Sequence, residues 1–268
     1  MLQSFKNILV PVDFTLNTEV AISKTLELVD KEGAAIHLLH VCKSNYSFKK
    51  HGYEDSAIKL NQWKESIEDY NPSITVHCWL TAEGSVQKNI KEKAEEVEAD
   101  LIVIAQTSSH NWLPLLKKVL PMQIGESTGI PILTVKPGAL HNKMKTVVVP
   151  IADDLPNIKM NALEALNKKG KLNIHLITLV DDSNQPSDFS ASALLQVYQW
   201  LKLKLHCPVE YSVVHHGNNR AKAILQYAEK NNADILLVHP EKETRIGWGN
   251  RHISDVIPPA SKVQVLAV

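Results

Sequence analysis

The run ILVPVDFT at residues 8–15 decides the fold, because its first part returns later in the chain as VVVPI at residues 147–151. A short, nearly continuous apolar run of this kind is typical of a parallel strand buried on both faces. Three more matches follow in the same order: 36–39 with 174–177, 99–103 with 233–237, and 132–135 with 265–268. The separations of 139, 138, 134 and 133 residues (147−8, 174−36, 233−99 and 265−132) indicate one unit used twice in 268 residues.

The join between the two copies lies at Pro137-Gly138, a pair that follows an apolar run and is typical of a linker. We place the boundary at about residue 141, which gives domains 1–141 and 142–268. The balanced total of 29 basic and 29 acidic residues divides into 14 and 17 in the first half and 15 and 12 in the second. The halves therefore carry net charges of −3 and +3. The neutral total argues against a general nucleic-acid binder and against an acidic disordered chain.

Other features of the composition indicate a cytoplasmic protein. Three cysteines, odd in number and far apart, do not form a disulfide framework and are expected to be buried thiols in a reducing compartment. The longest aliphatic run, at residues 101–105, is too short to cross a membrane. The first apolar run, at residues 8–12, is too short for a signal peptide.

Apolar periodicity predicts strict alternation of strands and helices in both halves. Such alternation predicts an α/β fold with a mainly parallel sheet and helices on both faces, with any ligand bound at the carboxyl ends of the first and fourth strands of each half. We expect Pro121 to kink or split one helical stripe, formed by Leu113, Leu116, Leu120 and Ile124. The predicted strands are 7–13, 35–42, 74–80, 100–105, 131–136, 146–152, 172–180, 209–215, 234–239 and 263–268.

Three stretches resemble the universal stress protein family: ILVPVDFT at 8–15, LLHV at 38–41 and ADLIVI at 99–104. Because the pattern covers the chain twice, the chain looks like a tandem member. The resemblance implies two consecutive doubly wound domains, each with a five-stranded parallel sheet in the order 3-2-1-4-5 and helices on both faces. It implies that they pack as an internal pseudo-dimer, and it leaves open whether two chains pair as a homodimer.

The phosphate motif of the family's nucleotide-binding members is degenerate in the first half. That motif reads Gly, two residues, Gly, nine residues, then Gly and Ser, Thr or Asn; glycines let backbone N–H groups approach the phosphates. Here the glycine positions are Ala105, Ser108 and Lys118, and the hydroxyl position is Val119. Ala105 and Ser108 are small enough to be tolerated, whereas Lys118 and Val119 do not replace a glycine and a hydroxyl. Lys118 is either a solvated helix lysine or a point charge for a phosphate.

The second half departs from the motif differently. Its first two glycine positions are His239 and Lys242, but GWGNR at residues 247–251 resembles a displaced terminal pair. Arginines here could neutralise phosphates, or the segment is a surface turn with solvated side chains. The candidate residues are Gly247, Gly249, Asn250 and Arg251, with Arg245 nearby.

The base-binding positions of the family are matched in the first half by Pro11, Val12, Asp13 and Val41. In the second half Asp13 aligns with an alanine, and Asp153 follows it. An aspartate after a strand serves equally well as the cap of the next helix, so both roles stay open for Asp13. The half with the aspartate thus lacks the phosphate loop, and the half with a candidate loop lacks the aligned aspartate.

Motifs for catalysis and metal binding are missing from the sequence. There is no Gly-x-Ser-x-Gly elbow, Walker loop or His-Glu-x-x-His pair. His37 and His40 lie three apart on a strand, so they face opposite sides and cannot chelate one ion. Trp112 and Trp248, which follow the fourth strands, form either an exposed partner surface or lids over the strand ends.

The sequence therefore predicts a non-catalytic tandem stress-response protein with degenerate ATP-binding motifs and no certain cofactor, acting through protein or small-molecule binding. The alternative is an adenine-nucleotide-binding regulator that uses mainly the second domain, with slow ATP hydrolysis left open. A third interpretation, an unrelated small-molecule-binding α/β pair, would require a different strand order.

Overall fold

The computed structural model describes residues 4–29, 33–42, 51–82, 84–106, 120–151, 157–167, 170–180, 188–217, 219–240, 243–244 and 252–268. Both halves alternate strand and helix as the apolar pattern predicts. The first half contains β1 (Asn7–Pro11), α1 (Leu16–Leu28), β2 (Ala34–Val41), α2 (His51–Tyr70), β3 (Ile74–Thr81), α3 (Val86–Glu96), β4 (Leu101–Ala105), α4 (Pro121–Thr128) and β5 (Ile132–Val135). The second contains β6 (Thr146–Ile151), α5 (Asn157–Leu166), β7 (Asn173–Val180), α6 (Asp188–Leu205), β8 (Val209–His215), α7 (Arg220–Lys230), β9 (Ile235–Val238), α8 (Ile253–Val256) and β10 (Gln264–Ala267).

The ten strands form one sheet in the order β3-β2-β1-β4-β5-β10-β9-β6-β7-β8. Within each half the strands are parallel and follow the predicted order 3-2-1-4-5, which removes the support for the third interpretation. The halves join through β5 and β10, which pair antiparallel with Thr134 opposite Val265. The sheet is therefore continuous from one half to the other.

Burial explains why the strand sequences lack polar alternation. Every residue of β4, β5, β9 and β10 is buried, because helices cover both faces of the sheet. One core cluster crosses the join, since it includes Leu133 of β5 and Leu266 of β10. In the part of the chain that the structure describes, no helix is long and apolar enough to cross a membrane.

The repeated Ala-Asp pair before the fourth strand of each half holds the start of the first strand. In the first half Asp100 Oδ2 accepts hydrogen bonds from the backbone N–H groups of Lys6 (2.6 Å) and Asn7 (3.1 Å). In the second half Asp234 Oδ2 accepts from the N–H groups of Lys145 and Thr146, both at 3.0 Å. The aspartates thus satisfy backbone donors ahead of the buried strands β1 and β6, which gives a structural reason for this repeat.

Pro121 begins a helix, and Leu120 before it is extended, so the predicted stripe does not run through this point as one continuous helix. Helix α4 starts at Pro121 with Leu120 as its N-cap residue. Proline is tolerated in the first turn because the N–H that it lacks would have no intrahelical partner there. The predicted stripe members Leu113 and Leu116 lie outside the described residues.

The linker is held by backbone contacts with the second half. A short 3-10 turn spans Pro137–Ala139, and the N–H of Gly138 donates to the carbonyl oxygen of Pro259 at 2.8 Å. A Cβ atom on Gly138 would lie 2.2 Å from the carbonyl oxygen of Ala260. Only glycine therefore allows the two backbones to approach this closely.

Helix α1 of the first half fixes the next part of the linker. The buried Lys24 donates from Nζ to the carbonyl oxygen of Asn142 and, at 3.1 Å, to Glu27. Glu27 in turn accepts a hydrogen bond from the N–H of Met144 at 2.7 Å. The linker is thus attached to both halves.

Candidate functional site

The described residues predicted to bind a nucleotide in the first half meet at one edge of the sheet. Pro11 ends β1, Val41 ends β2 and Ala105 ends β4, and β1 pairs with both of the other strands. Val12 follows directly, and its N–H donates to the carbonyl oxygen of Leu39 at 2.9 Å. The strand order reverses between β1 and β4, which is where doubly wound sheets bind ligands.

Asp13 has one carboxylate oxygen that bonds to the residues at the start of α1 and one without a partner. Its Oδ1 accepts from the N–H of Thr15 (3.1 Å) and from the hydroxyls of Thr15 (2.7 Å) and Thr18 (2.8 Å). Thr15 is itself the N-cap of α1. Oδ2 is buried and accepts no hydrogen bond. Asp13 is therefore not the N-cap but holds the N-cap residue Thr15 in place, while Oδ2 leaves an acceptor for a further donor.

Phe14 and His40 stand beside Asp13. Phe14 has φ of +59°, a left-handed conformation that is uncommon for a bulky residue, and its ring centroid lies 4.5 Å from that of His40. His40 Nδ1 lies 2.8 Å from the carbonyl oxygen of Val12, so it carries the proton and donates. Burial lowers the pKa of His40, against the opposing effects of this hydrogen bond and of Asp13. The imidazole is thereby held neutral at the crevice.

The corresponding crevice of the second half contains an internal ion pair. Lys159 of α5 donates from Nζ to both carboxylate oxygens of Glu243, at 2.7 Å and 2.6 Å. It also donates to the carbonyl oxygen of Pro150 near the end of β6, at 2.7 Å. Glu243 Oε2 accepts a further hydrogen bond from the N–H of His239, which follows β9, at 2.7 Å. The pair thus connects the carboxyl ends of β6 and β9, where the strand order of this half reverses.

Both members of this pair are withdrawn from water. Lys159 is 3% exposed and Glu243 is 8% exposed. A buried charge is tolerated only when it is paired and hydrogen-bonded, and here the bidentate geometry and the backbone partners supply both. The Glu243 carboxylate accepts hydrogen bonds from the His239 N–H and from Lys159 Nζ. These are the donors that an anionic ligand in this crevice would use.

The segment after Glu243 is packed against α8. The Thr244 side chain is fully buried, its Oγ1 lies 2.6 Å from His252 Nδ1, and it donates to the carbonyl oxygen of Pro240. The carbonyl oxygen of Thr244 accepts from the N–H of Ile253 at 2.7 Å. These bonds connect Glu243 to the helix that covers the join of the halves.

Several predicted site residues fall outside the described part of the chain. They are Ser108, Lys118 and Val119 of the first half, and Asp153, Lys242, Arg245, Gly247, Gly249, Asn250 and Arg251 of the second, together with Trp112 and Trp248. Of the motif positions in the second half, His239 is described, and its backbone N–H is directed to Glu243. The two candidate phosphate loops therefore remain predictions.

The histidines of β2 face opposite sides of the sheet, as their spacing predicts. His37 stacks on His77 with ring centroids 5.0 Å apart, whereas His40 contacts Phe14 on the other face. Burial, followed by the nearby positive groups of His77 and Lys93, lowers the pKa of His37 to about 4. Among the described residues there is no group of three or more His, Cys, Asp or Glu side chains that could hold a metal ion.

Sequence reasoning missed the Lys159–Glu243 pair. At the separation of 139 residues that relates the first strands of the halves, Lys159 corresponds to Val20 (159−139 = 20), a core residue that is 1% exposed. A lysine at a core-facing helix position is a recognisable signal, because such a charge requires a buried partner. The partner, 84 residues further along the chain, has no such signal.

Comparison with known proteins agrees with the fold. Residues 4–135 match the model of the Universal stress protein family. No curated protein sequence matches the chain.

Similar solved structures cover almost the whole chain. A universal stress protein from Archaeoglobus fulgidus DSM 4304 has a TM-score of 0.64 and 16% identity, with 97% of each chain covered. A functionally unknown protein, PA1789 from Pseudomonas aeruginosa PAO1, has a TM-score of 0.59 and 14% identity, with 100% of this chain and 93% of that one covered. The cytoplasmic domain of a prokaryotic cation chloride cotransporter has a TM-score of 0.58 and 12% identity, with coverages of 98% and 95%. At these identities the likeness shows the fold alone.

Proposed function

We propose that the chain is a tandem member of the universal stress protein family, with domains 1–141 and 142–268, because residues 4–135 match the model of that family. It acts as a non-catalytic stress-response protein of the cytoplasm, through protein or small-molecule binding. All three cysteines are free thiols; Cys207 is buried as expected, whereas Cys42 and Cys78 are only partly buried.

The Lys159–Glu243 pair is the observation that carries this proposal. A nucleotide entering the second crevice would have to displace Glu243 from Lys159 and from the His239 N–H. That displacement would leave a buried carboxylate without its partners, which is costly. The second half therefore has an internal substitute for an anionic ligand, which argues against the alternative that this half is the main nucleotide site.

Calorimetric titration of the intact chain with ATP tests the proposal. We expect no heat of binding from the second half up to millimolar ATP. Micromolar binding that is lost in Gly249→Trp but kept in Asp13→Ala would overturn it. Any binding must be assigned with both variants, because they lie in different halves.

Adenine-nucleotide binding in the first half is a second candidate function. It is favoured by Asp13 Oδ2, a buried acceptor without a partner in a crevice that holds no ion pair among its described residues. An exocyclic amine of a base would supply the missing donor. This candidate predicts ATP binding that is lost in Asp13→Ala and kept in Gly249→Trp. Absence of binding at millimolar ATP would reject it.

A further inference from the structure

The join of the two halves contains a buried lysine without a hydrogen-bond partner. Lys136 follows β5 directly and is 1% exposed. Its Nζ atom is buried and donates no hydrogen bond. A buried ammonium group in this position has no acceptor among the described protein atoms, so an additional partner would be strongly favoured.

Two more unpartnered polar atoms share its face of the sheet. Thr134 lies two residues earlier on the same strand, so its side chain leaves the sheet on the same side as that of Lys136. Gln106 follows β4 beside Lys136, since its N–H donates to the carbonyl oxygen of Val135 at 3.0 Å. Thr134 Oγ1 and Gln106 Oε1 are both buried without a partner.

The nearby carboxylate, Asp255 of α8, does not bond to the lysine. Its Oδ1 accepts from Gln106 Nε2 and its Oδ2 from the N–H of His252, both at 2.9 Å. Burial lowers the pKa of Lys136 to about 8, and Asp255 opposes that shift through space. The lysine is therefore still mostly protonated at pH 7, with its three N–H donors unused.

We propose that Lys136 Nζ, Thr134 Oγ1 and Gln106 Oε1 bind a small protonated oxyanion, of the hydrogen phosphate class, at the join of the halves. The ammonium and the hydroxyl donate to its oxygens, while its own hydroxyl donates to Gln106 Oε1. A halide ion accepts hydrogen bonds but gives none, so it would leave Gln106 Oε1 unpartnered.

Such a ligand would stabilise the joined halves. The cluster lies within and just after β4 and β5 of the first half, and α8 of the second half is bonded to it through Asp255 and Gln106. An anion that binds only the folded chain raises its melting temperature with concentration. The site would therefore make the stability of the tandem chain depend on free phosphate.

Thermal unfolding of the intact chain tests the site, in buffers at pH 7 of constant ionic strength with sodium phosphate or sodium chloride. We expect the Tm to rise by several degrees between 0 and 50 mM phosphate and to stay level in chloride. Lys136→Met should abolish the rise, whereas Lys262→Met, which removes a lysine paired with Asp234 in the second half, should keep it. Equal effects of both salts, or a rise that persists in Lys136→Met, would overturn the proposal.

Calorimetry with inorganic phosphate keeps the proposal testable if Lys136→Met fails to fold. Thr134→Val preserves the shape of the side chain and removes one neutral hydrogen bond, so its phosphate Kd should be about three- to tenfold weaker. An unchanged Kd in this variant, or no phosphate binding by the wild-type chain, would reject the site. In that case the three atoms are satisfied by buried water.

Discussion

Lys159 and Glu243 form a bidentate ion pair, with Nζ 2.7 Å and 2.6 Å from the two carboxylate oxygens, at the carboxyl ends of β6 and β9. Lys159→Met should lower the free energy of unfolding by about 3–5 kcal/mol, because it leaves a buried carboxylate unpaired. Denaturant unfolding measures this loss.

Two variants control that prediction. The double variant Lys159→Met/Glu243→Leu should recover most of the loss, because it removes both buried charges. Lys204→Met removes a lysine whose pair with Glu164 is half-exposed, and it should cost less than about 1 kcal/mol. Similar losses for Lys159→Met and Lys204→Met would contradict the assigned role.

Asp234, which precedes β9, should stabilise the folded chain by holding the start of β6. Asp234→Ala removes the acceptor of the N–H groups of Lys145 and Thr146 and of Lys262 Nζ, so unfolding should become about 2 kcal/mol easier. Chemical denaturation measures the effect. Asp69→Ala, at an exposed helix position, should change stability by less than about 0.5 kcal/mol.

Acid should destabilise the chain partly through His37. Burial, with His77 and Lys93 nearby, lowers its pKa to about 4, whereas an unfolded histidine titrates near 6.5. Between these values the unfolded chain binds a proton that the folded chain does not, so stability falls as the pH is lowered from 6.5 to 4. In His37→Phe the Tm should fall by several degrees less between pH 7 and pH 5 than in the wild type. The exposed His141→Gln should behave as the wild type, and parallel pH profiles for all three would exclude the role of His37.

A rise in pH should stabilise the folded chain through Lys136. In phosphate-free buffer its folded pKa of about 8 lies below the unfolded value of 10.5, so stability lost to burying the charge is regained as the pH rises from 8 to 10.5. The full effect is up to about 3 kcal/mol. Lys136→Met should therefore be more stable than the wild type at pH 7, with a difference that shrinks by pH 10. Exposed Lys88→Met is the control, and a difference that does not change with pH would rule out a shifted Lys136.

The linker turn should tolerate no side chain at Gly138. Gly138→Ala places a Cβ atom 2.2 Å from a backbone oxygen, so the turn or residues 259–261 must move and the Tm should fall by several degrees. Gly52→Ala, in a helix and without atoms nearby, should be neutral or slightly stabilising. Calorimetric melting compares them. Equal Tm values would show that the close approach is not required.

Much of the fold was predictable because its strands are buried on both faces. Continuous apolar runs therefore indicate where the strands lie. Their repetition indicates that both halves have the same order of strands and helices. The apolar pattern by itself did not predict the antiparallel pairing of Thr134 with Val265, because ILTV and VLAV read the same in either direction of pairing. The pattern did not specify that a helix starts at Pro121, because proline serves both to start a helix and to break one.

The candidate site was less predictable than the fold. Its main contacts join residues that are far apart in the sequence, and no periodic pattern marks such pairs. The sequence placed Asp13 at the end of its strand. It did not predict that the hydroxyls of Thr15 and Thr18 both bond to Oδ1 and leave Oδ2 without a partner. Lys136 reads in the sequence as a linker lysine before Pro137, whereas in the structure it is 1% exposed. Burial of a charge is a tertiary property that a local pattern does not record.

The antiparallel pairing of β5 with β10 gives the two halves opposite polarity. The carboxyl ends of β1 and β4 point to one rim of the sheet, and those of β6 and β9 point to the other. A compact rigid partner that contacts Asp13 on the first rim is therefore out of reach of Glu243 on the second. The two crevices of the tandem chain therefore open on opposite rims of the sheet. The first contains the unpartnered oxygen Asp13 Oδ2, and the second contains the Lys159–Glu243 ion pair.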